Sequence, residues 1–186
     1  MLARRVTTAE AGTGTGKTFA YLVPALLANR RVLISTGTKT LQDQLYFRDL
    51  PLVKKALGSS HKTALLKGRG NYLCLYRMEQ ARTDGRLPSR ESVTELEDIR
   101  KWAPQSVDGD LSLSSVIAED SDLWPLVTST AENCLGKDCP DFEACFVARA
   151  RNEAQDADVV VVNHHLLFAD MAIKHGGFGE VLPGAS

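Results

Sequence analysis

Eight consecutive residues constrain this chain more than any others: Ala11-Gly12-Thr13-Gly14-Thr15-Gly16-Lys17-Thr18. Glycines at alternate positions let a backbone turn tightly and approach a ligand closely. A lysine and a hydroxyl residue follow at once, and a helix-compatible stretch comes after them. Such a loop wraps phosphates with backbone N–H groups and the positive end of a helix. The lysine reaches the β- and γ-phosphates, and the hydroxyl beside it ligates Mg²⁺. Ala11, Gly12, Thr13, Gly14, Thr15, Gly16, Lys17 and Thr18 are therefore the candidate nucleotide-binding residues. Lys17 and Thr18 take the catalytic roles, and ATP and Mg²⁺ are the implied ligands. The competing reading is a Gly/Thr-rich turn that happens to precede a helix, and it leaves the ordered lysine and hydroxyl unexplained.

The surrounding pattern is α/β. A helix is expected from Lys17 to Ala28, kinked at Pro24 and ended by Asn29-Arg30. Arg31–Thr36 reads as a buried strand, short and β-branched. A second helix is expected from Lys39 to Arg48, stopping before Pro51. Thr63–Leu66 reads as a short strand. Residues 67–151 look helical or irregular, with turn signals at Asp84-Gly85, Pro104 and Asp108-Gly109. A helix is expected near Phe142–Gln155, and Asp158–Asn163 is the clearest strand of all. Alternating helices and strands predict a parallel sheet. The segment Arg5–Ala9, which ought to supply a strand before the loop, is short and polar.

The middle region holds all four cysteines: Cys74, Cys134, Cys139 and Cys145. Three are spaced C-x4-C-x5-C and one is distant. No apolar run approaches the roughly 18 residues a membrane span needs. Met1–Thr8 is basic but lacks the apolar core of a secretory signal. These features point to the cytosol, where four cysteines suggest metal or redox chemistry rather than disulfides. Four thiolates suit a structural zinc or an iron–sulfur cluster. Cys74 and Cys145 form no second zinc knuckle beside Cys134 and Cys139, so the spacing leans away from zinc without naming the cluster. Four unrelated buried thiols are the plainer alternative. The polar loop Gly136-Lys137-Asp138 with Pro140 around them speaks against it. The net charge of −1 supplies no global basic field, so any nucleic-acid surface must be local.

With these residues in view, the chain resembles superfamily 2 helicases of the DinG/XPD branch, and within it the bacterial YoaA-like group. Glu10–Thr18 is similar to their motif I, whose [AG]-x-x-G-x-G-K-T form admits Ala11. Ser35–Leu45 is similar to motif Ia. Lys67–Cys74 resembles the segment bearing the first cluster ligand, and Asp158–Leu166 the strand and turn that re-enter the motor domain. The resemblance implies a partial RecA-like P-loop NTPase domain interrupted by a mainly helical Fe–S insertion. Residues 1–66 would begin the motor domain, 67–151 form the insertion, and 152–186 return to the motor. It further implies a [4Fe–4S] cluster on the four cysteines and ATP-driven 5′ to 3′ unwinding on single-stranded DNA. The setting would be DNA repair or replication.

Candidate DNA contacts are Thr36, Thr38 and Lys39, at a strand-to-helix junction suited to a phosphate, and Lys67 and Arg69 beside the first cysteine. Thr38 also reads as a helix N-cap. Lys67 and Arg69 suit a solvated loop equally well. Tyr72 suits core packing better than base stacking. His164 and His165 point apart, which favours packing or turn roles over metal ligation. The sequence contains no Asp-Glu-x-His, the box that would complete Mg²⁺ binding and hydrolysis in the resembled family. The expectation is a fragment of a longer helicase that ends before that box, with apolar sheet edges and poor solubility. Two other readings stay open: a module binding nucleotide and single-stranded DNA without turnover, and a zinc-stabilised P-loop kinase.

Overall fold

The computed structural model describes residues 7–12, 14–28, 30–175 and 182. Thr13 of the glycine-rich loop and the first residues of Arg5–Ala9 lie outside the described residues.

After the loop, α1 runs over Lys17–Leu27 and passes through Pro24. Leu22 and Leu26, four apart and so on one face, are buried. β1 is Val32–Thr36. α2, Lys39–Gln44, starts at Thr38, whose hydroxyl accepts the Leu41 N–H at 3.2 Å. The helical path does not stop before Pro51 as the sequence suggests. Leu45–Asp49 form a π-helical turn, in which the Leu50 N–H donates to the Leu45 carbonyl. α3 then covers Leu50–Leu57, with Pro51 in its first turn. The widened turn before Pro51 leaves room for its ring.

β2 is Thr63–Leu65. The middle region contributes α4 (Leu75–Asp84), α5 (Arg90–Trp102) and a single turn, α6 (Trp124–Val127), joined by short 3₁₀ turns. α7 is Phe146–Asp156, β3 is Val159–Asn163, and α8 is His164–His175.

The three strands form one parallel sheet in the order β1-β3-β2. Val159 stands beside Val32 on one side and Thr63 on the other. Every residue of β3 is buried, as its unbroken valine run demands of a central parallel strand. Side chains alternate across the sheet. Val159 and Val161 join Leu22, Leu26, Leu50 and Val53 on one face. Val160 and Val162 join Ala64, Leu66, Leu111, Val127 and Phe146 on the other. Helices α1 and α3 cover the first face. The cysteine-bearing region and α7 cover the second, so that region supplies a whole layer of the fold. No helix among the described residues is long and apolar enough to cross a membrane.

Candidate functional site: a phosphate-loop cleft and a four-cysteine cavity

Gly14 and Gly16 have φ of 74° and 79°. Side-chained residues rarely adopt this left-handed region. The turn they make delivers the chain to the N-terminus of α1. The loop is closed on itself, with the Thr15 hydroxyl donating to the Gly12 carbonyl at 2.8 Å and the Lys17 ammonium donating to the Ala11 carbonyl at 2.6 Å. Ala11, Lys17 and Thr18 line an open cleft of about 570 Å³ together with Ser35, Thr36 and Gly37. The glycine-rich turn thus opens onto the C-terminal end of β1, where ligands of open parallel sheets bind.

One residue at this cleft, Asp49, escaped the sequence reading, and so did the partner of His164. Asp49 is buried against it, held by the Arg48 Nε at 2.8 Å and the Gln44 Nε2 at 3.3 Å. Its charge, after burial, helps push the Tyr21 hydroxyl above the usual phenol value. His164 Nδ1 lies 2.6 Å from the Ser35 hydroxyl, and its ring stands next to Gly37. It ties the end of β3 to the end of β1, a turn role. No spacing rule reaches across 129 residues, so no sequence signal could have found the pair.

The cysteine cavity lies in the other layer. Cys74 stands immediately before α4 and Cys145 immediately before α7. Cys134 and Cys139 sit on the loop carrying Gly136–Asp138. All four are free thiols, and all four line one cavity. Leu73, Phe142 and Val147 make its apolar wall, and Arg69 and Arg151 bring positive charge. Burial raises the Cys74 thiol above its usual value. The Arg77 backbone N–H donating to its sulfur opposes this, and the charges of Cys145, Cys139 and Cys134 add to it. Among the described residues, no three His, Cys, Asp or Glu side chains converge on a single-ion site.

The candidate DNA contacts separate. Thr36 and Thr38 remain at the cleft and the start of α2, and the Thr36 hydroxyl donates to the Thr38 carbonyl at 3.1 Å. Lys39 is exposed and pairs with Glu119 at 2.8 Å. Arg69 is partly exposed and reaches the Thr130 carbonyl at 3.4 Å. Lys67 is a correction: its side chain is wholly buried, with Asp43 and Asp110 each 2.8 Å from its ammonium. A cation enclosed by two carboxylates does not face a DNA backbone. Tyr72 is also buried, and its hydroxyl accepts the Lys67 backbone N–H at 3.0 Å.

No protein-family model matches the chain. The chain is 60% identical over 177 residues, 95% of its length, to a protein of Escherichia coli (strain K12) named ATP-dependent DNA helicase YoaA. It is 42% identical over 184 residues to the ATP-dependent helicase DinG of Mycobacterium tuberculosis, and 34% identical over 180 residues to the ATP-dependent DNA helicase DinG of E. coli. These alignments each cover 87% of the chain. It spans 28%, 27% and 25% of the lengths of these relatives, a little over a quarter at most. Over the aligned residues, the chain is similar to these YoaA and DinG helicases.

Proposed function

We propose that this chain is part of an ATP-dependent DNA helicase that works on single-stranded DNA in repair or replication. In that protein it carries the phosphate-binding loop of a RecA-like motor domain and a four-cysteine Fe–S insertion. The observation that supports this reading best is the cleft, where a left-handed glycine turn brings Lys17 and Thr18 to a helix N-terminus facing the end of a parallel strand. In this reading residues 11–18 wrap the phosphates with backbone N–H groups. Lys17 gives up the Ala11 carbonyl for the β- and γ-phosphates, and the Thr18 hydroxyl ligates Mg²⁺. Thr36, Thr38, Lys39 and Arg69 meet the DNA backbone.

The cavity suits the cluster by its donor set, four cysteine thiols and no competing histidine. Cys74, Cys134, Cys139 and Cys145 would each bind one iron of a [4Fe–4S] cluster. When bound, that group supplies a rigid cross-link among four segments of chain and a redox centre.

The test is anaerobic purification followed by a visible spectrum with iron, sulfide and zinc analysis. Brown protein with iron and sulfide, both lost in Cys134→Ser, is the expected result. Stoichiometric zinc in colourless protein would refute the cluster while leaving the nucleotide site standing.

A further inference from the structure

Lys67 is a buried lysine between two carboxylates. Its ammonium lies 2.8 Å from Asp43 Oδ1 and 2.8 Å from Asp110 Oδ2, and it donates to the Ser112 hydroxyl at 2.9 Å. The Lys67 side chain is 0% exposed and that of Asp110 3%. Taking Lys67 and Asp110 out of water is costly, and well-packed apolar side chains would often stabilise as well or better. What the ion pairs provide is a fixed geometry among three segments far apart in sequence.

Asp43 belongs to α2, the helix whose first turn borders the nucleotide cleft. The neighbouring Gln42 is fully buried and donates through Nε2 to the Leu66 carbonyl at 3.0 Å and the Val161 carbonyl at 3.3 Å. α2 is thereby locked to β3 and to the chain leaving β2. On the other side, Asp110 accepts both the N–H and the hydroxyl of Ser112 and bridges to Tyr72. Tyr72 in turn accepts the Lys67 N–H. One residue on, the Leu73 N–H donates to the Gly109 carbonyl at 2.9 Å, and Cys74 follows directly. A run of buried and part-buried polar contacts therefore joins the helix at the cleft to Leu73, the residue before the first cysteine of the cavity.

We propose that Lys67 and its two carboxylates are a positioning device that couples nucleotide binding in the cleft to the placement of Cys74. The inference rests on the reading of the cleft as a nucleotide site. Nucleotide in the cleft engages the loop before α1 and the end of β1, and so restrains α2. The ion pairs carry that restraint to the segment bearing Cys74. A purely structural node would hold both sites together without making one respond to the other.

The experiment uses the whole chain, reduced and metal-free, with Mg²⁺–ATP as the probe. N-ethylmaleimide labelling of Cys74 is followed by mass spectrometry, and ATP binding is measured separately. In the unaltered chain, saturating nucleotide is expected to slow Cys74 labelling about fivefold, the lower end of ordinary coupling between sites. Asp43→Asn removes the α2 half of the node at a side chain still 25% exposed. It should abolish the slowing while ATP still binds, and Asp43→Glu should restore it. Full slowing in Asp43→Asn would overturn the proposal, as would no slowing in the unaltered chain at saturating ATP. A chain that binds no ATP would refute the cleft itself, which the binding measurement shows independently. Should Asp43→Asn unfold, as circular dichroism would reveal, Lys67→Arg takes its place. It keeps the charge but alters the geometry, and unchanged coupling in it would count against the device.

Discussion

The phosphate loop and the cysteine cavity are built in opposite ways. The loop is one stretch of sequence whose described residues are exposed, apart from half-buried Thr18, and it is held by its own short-range contacts such as Thr15 to Gly12 and Lys17 to Ala11. The cavity draws its cysteines from the starts of two helices and the loop between them, with Arg69 from yet another segment. The loop can lose a side chain without disturbing the fold, whereas the cavity is part of the layer that covers one face of the sheet. Chemistry and stability should therefore separate at the loop and coincide around the cavity.

The largest expected effect tests the cavity side. Gly109 has φ +69°, and a Cβ there would stand 2.2 Å from the Phe146 ring, directly beside Cys145 in sequence. Gly109→Ala combines a left-handed backbone penalty with overpacking against an aromatic ring, for a loss of about 3 kcal/mol or more. Urea denaturation would show it as a collapsed midpoint, and an unchanged midpoint would mean that the layer is looser than described.

Next comes the loop side. Lys17→Ala should weaken Mg²⁺–ATP binding roughly 10- to 100-fold, the loss of charge-assisted phosphate contacts. The denaturation midpoint should stay put, because Lys17 is exposed. A joint fall in affinity and stability would erase the contrast between the two regions. Smaller still is Thr38→Ala, which removes the N-cap hydrogen bond of α2 at about 1 kcal/mol, readable in the same denaturation curve.

The mildest test is a pH titration of the metal-free chain. Burial, chiefly, raises Cys74. The neutral thiol is thus the form the fold prefers, and nothing is lost below the ordinary thiol range. As pH rises through that range and up to the raised value, stability should decline. Cys74 alkylation should lag a free thiol in the same window. Labelling as fast as a model thiol at every pH would show Cys74 to be freely solvated.

These differences also explain what the sequence could disclose. β3 was plain because five buried residues in a row leave a continuous apolar signature. The turn at Gly14 and Gly16, the N-cap role of Thr38 and the core packing of Tyr72 were likewise readable, since each rests on local chemistry. Pro51 misled because a π-helical turn, set by tertiary packing, absorbs it. Lys67 misled more deeply. A lysine beside Gly68 and Arg69 has every local mark of a solvated loop, and only Asp43 and Asp110, remote in sequence, turn it inward. The Ser35–His164 pair was hidden for the same reason. As for the cysteines, spacing could group three of them, but only the fold brings Cys74 to the same cavity.

One consequence of the strand order reaches beyond the folded state. Among the described residues β1 and β2 do not pair with each other, and each pairs with β3. During synthesis both emerge long before the valines at 159–162 exist, so neither meets its β3 partner for more than ninety residues of elongation. Pairing with the central strand is therefore a long-range closure, of the kind that folds slowly and exposes edges on the way. The early helices α1 and α3 then act as temporary cover for β1, and the cysteine-bearing layer can settle only after the last strand has been inserted.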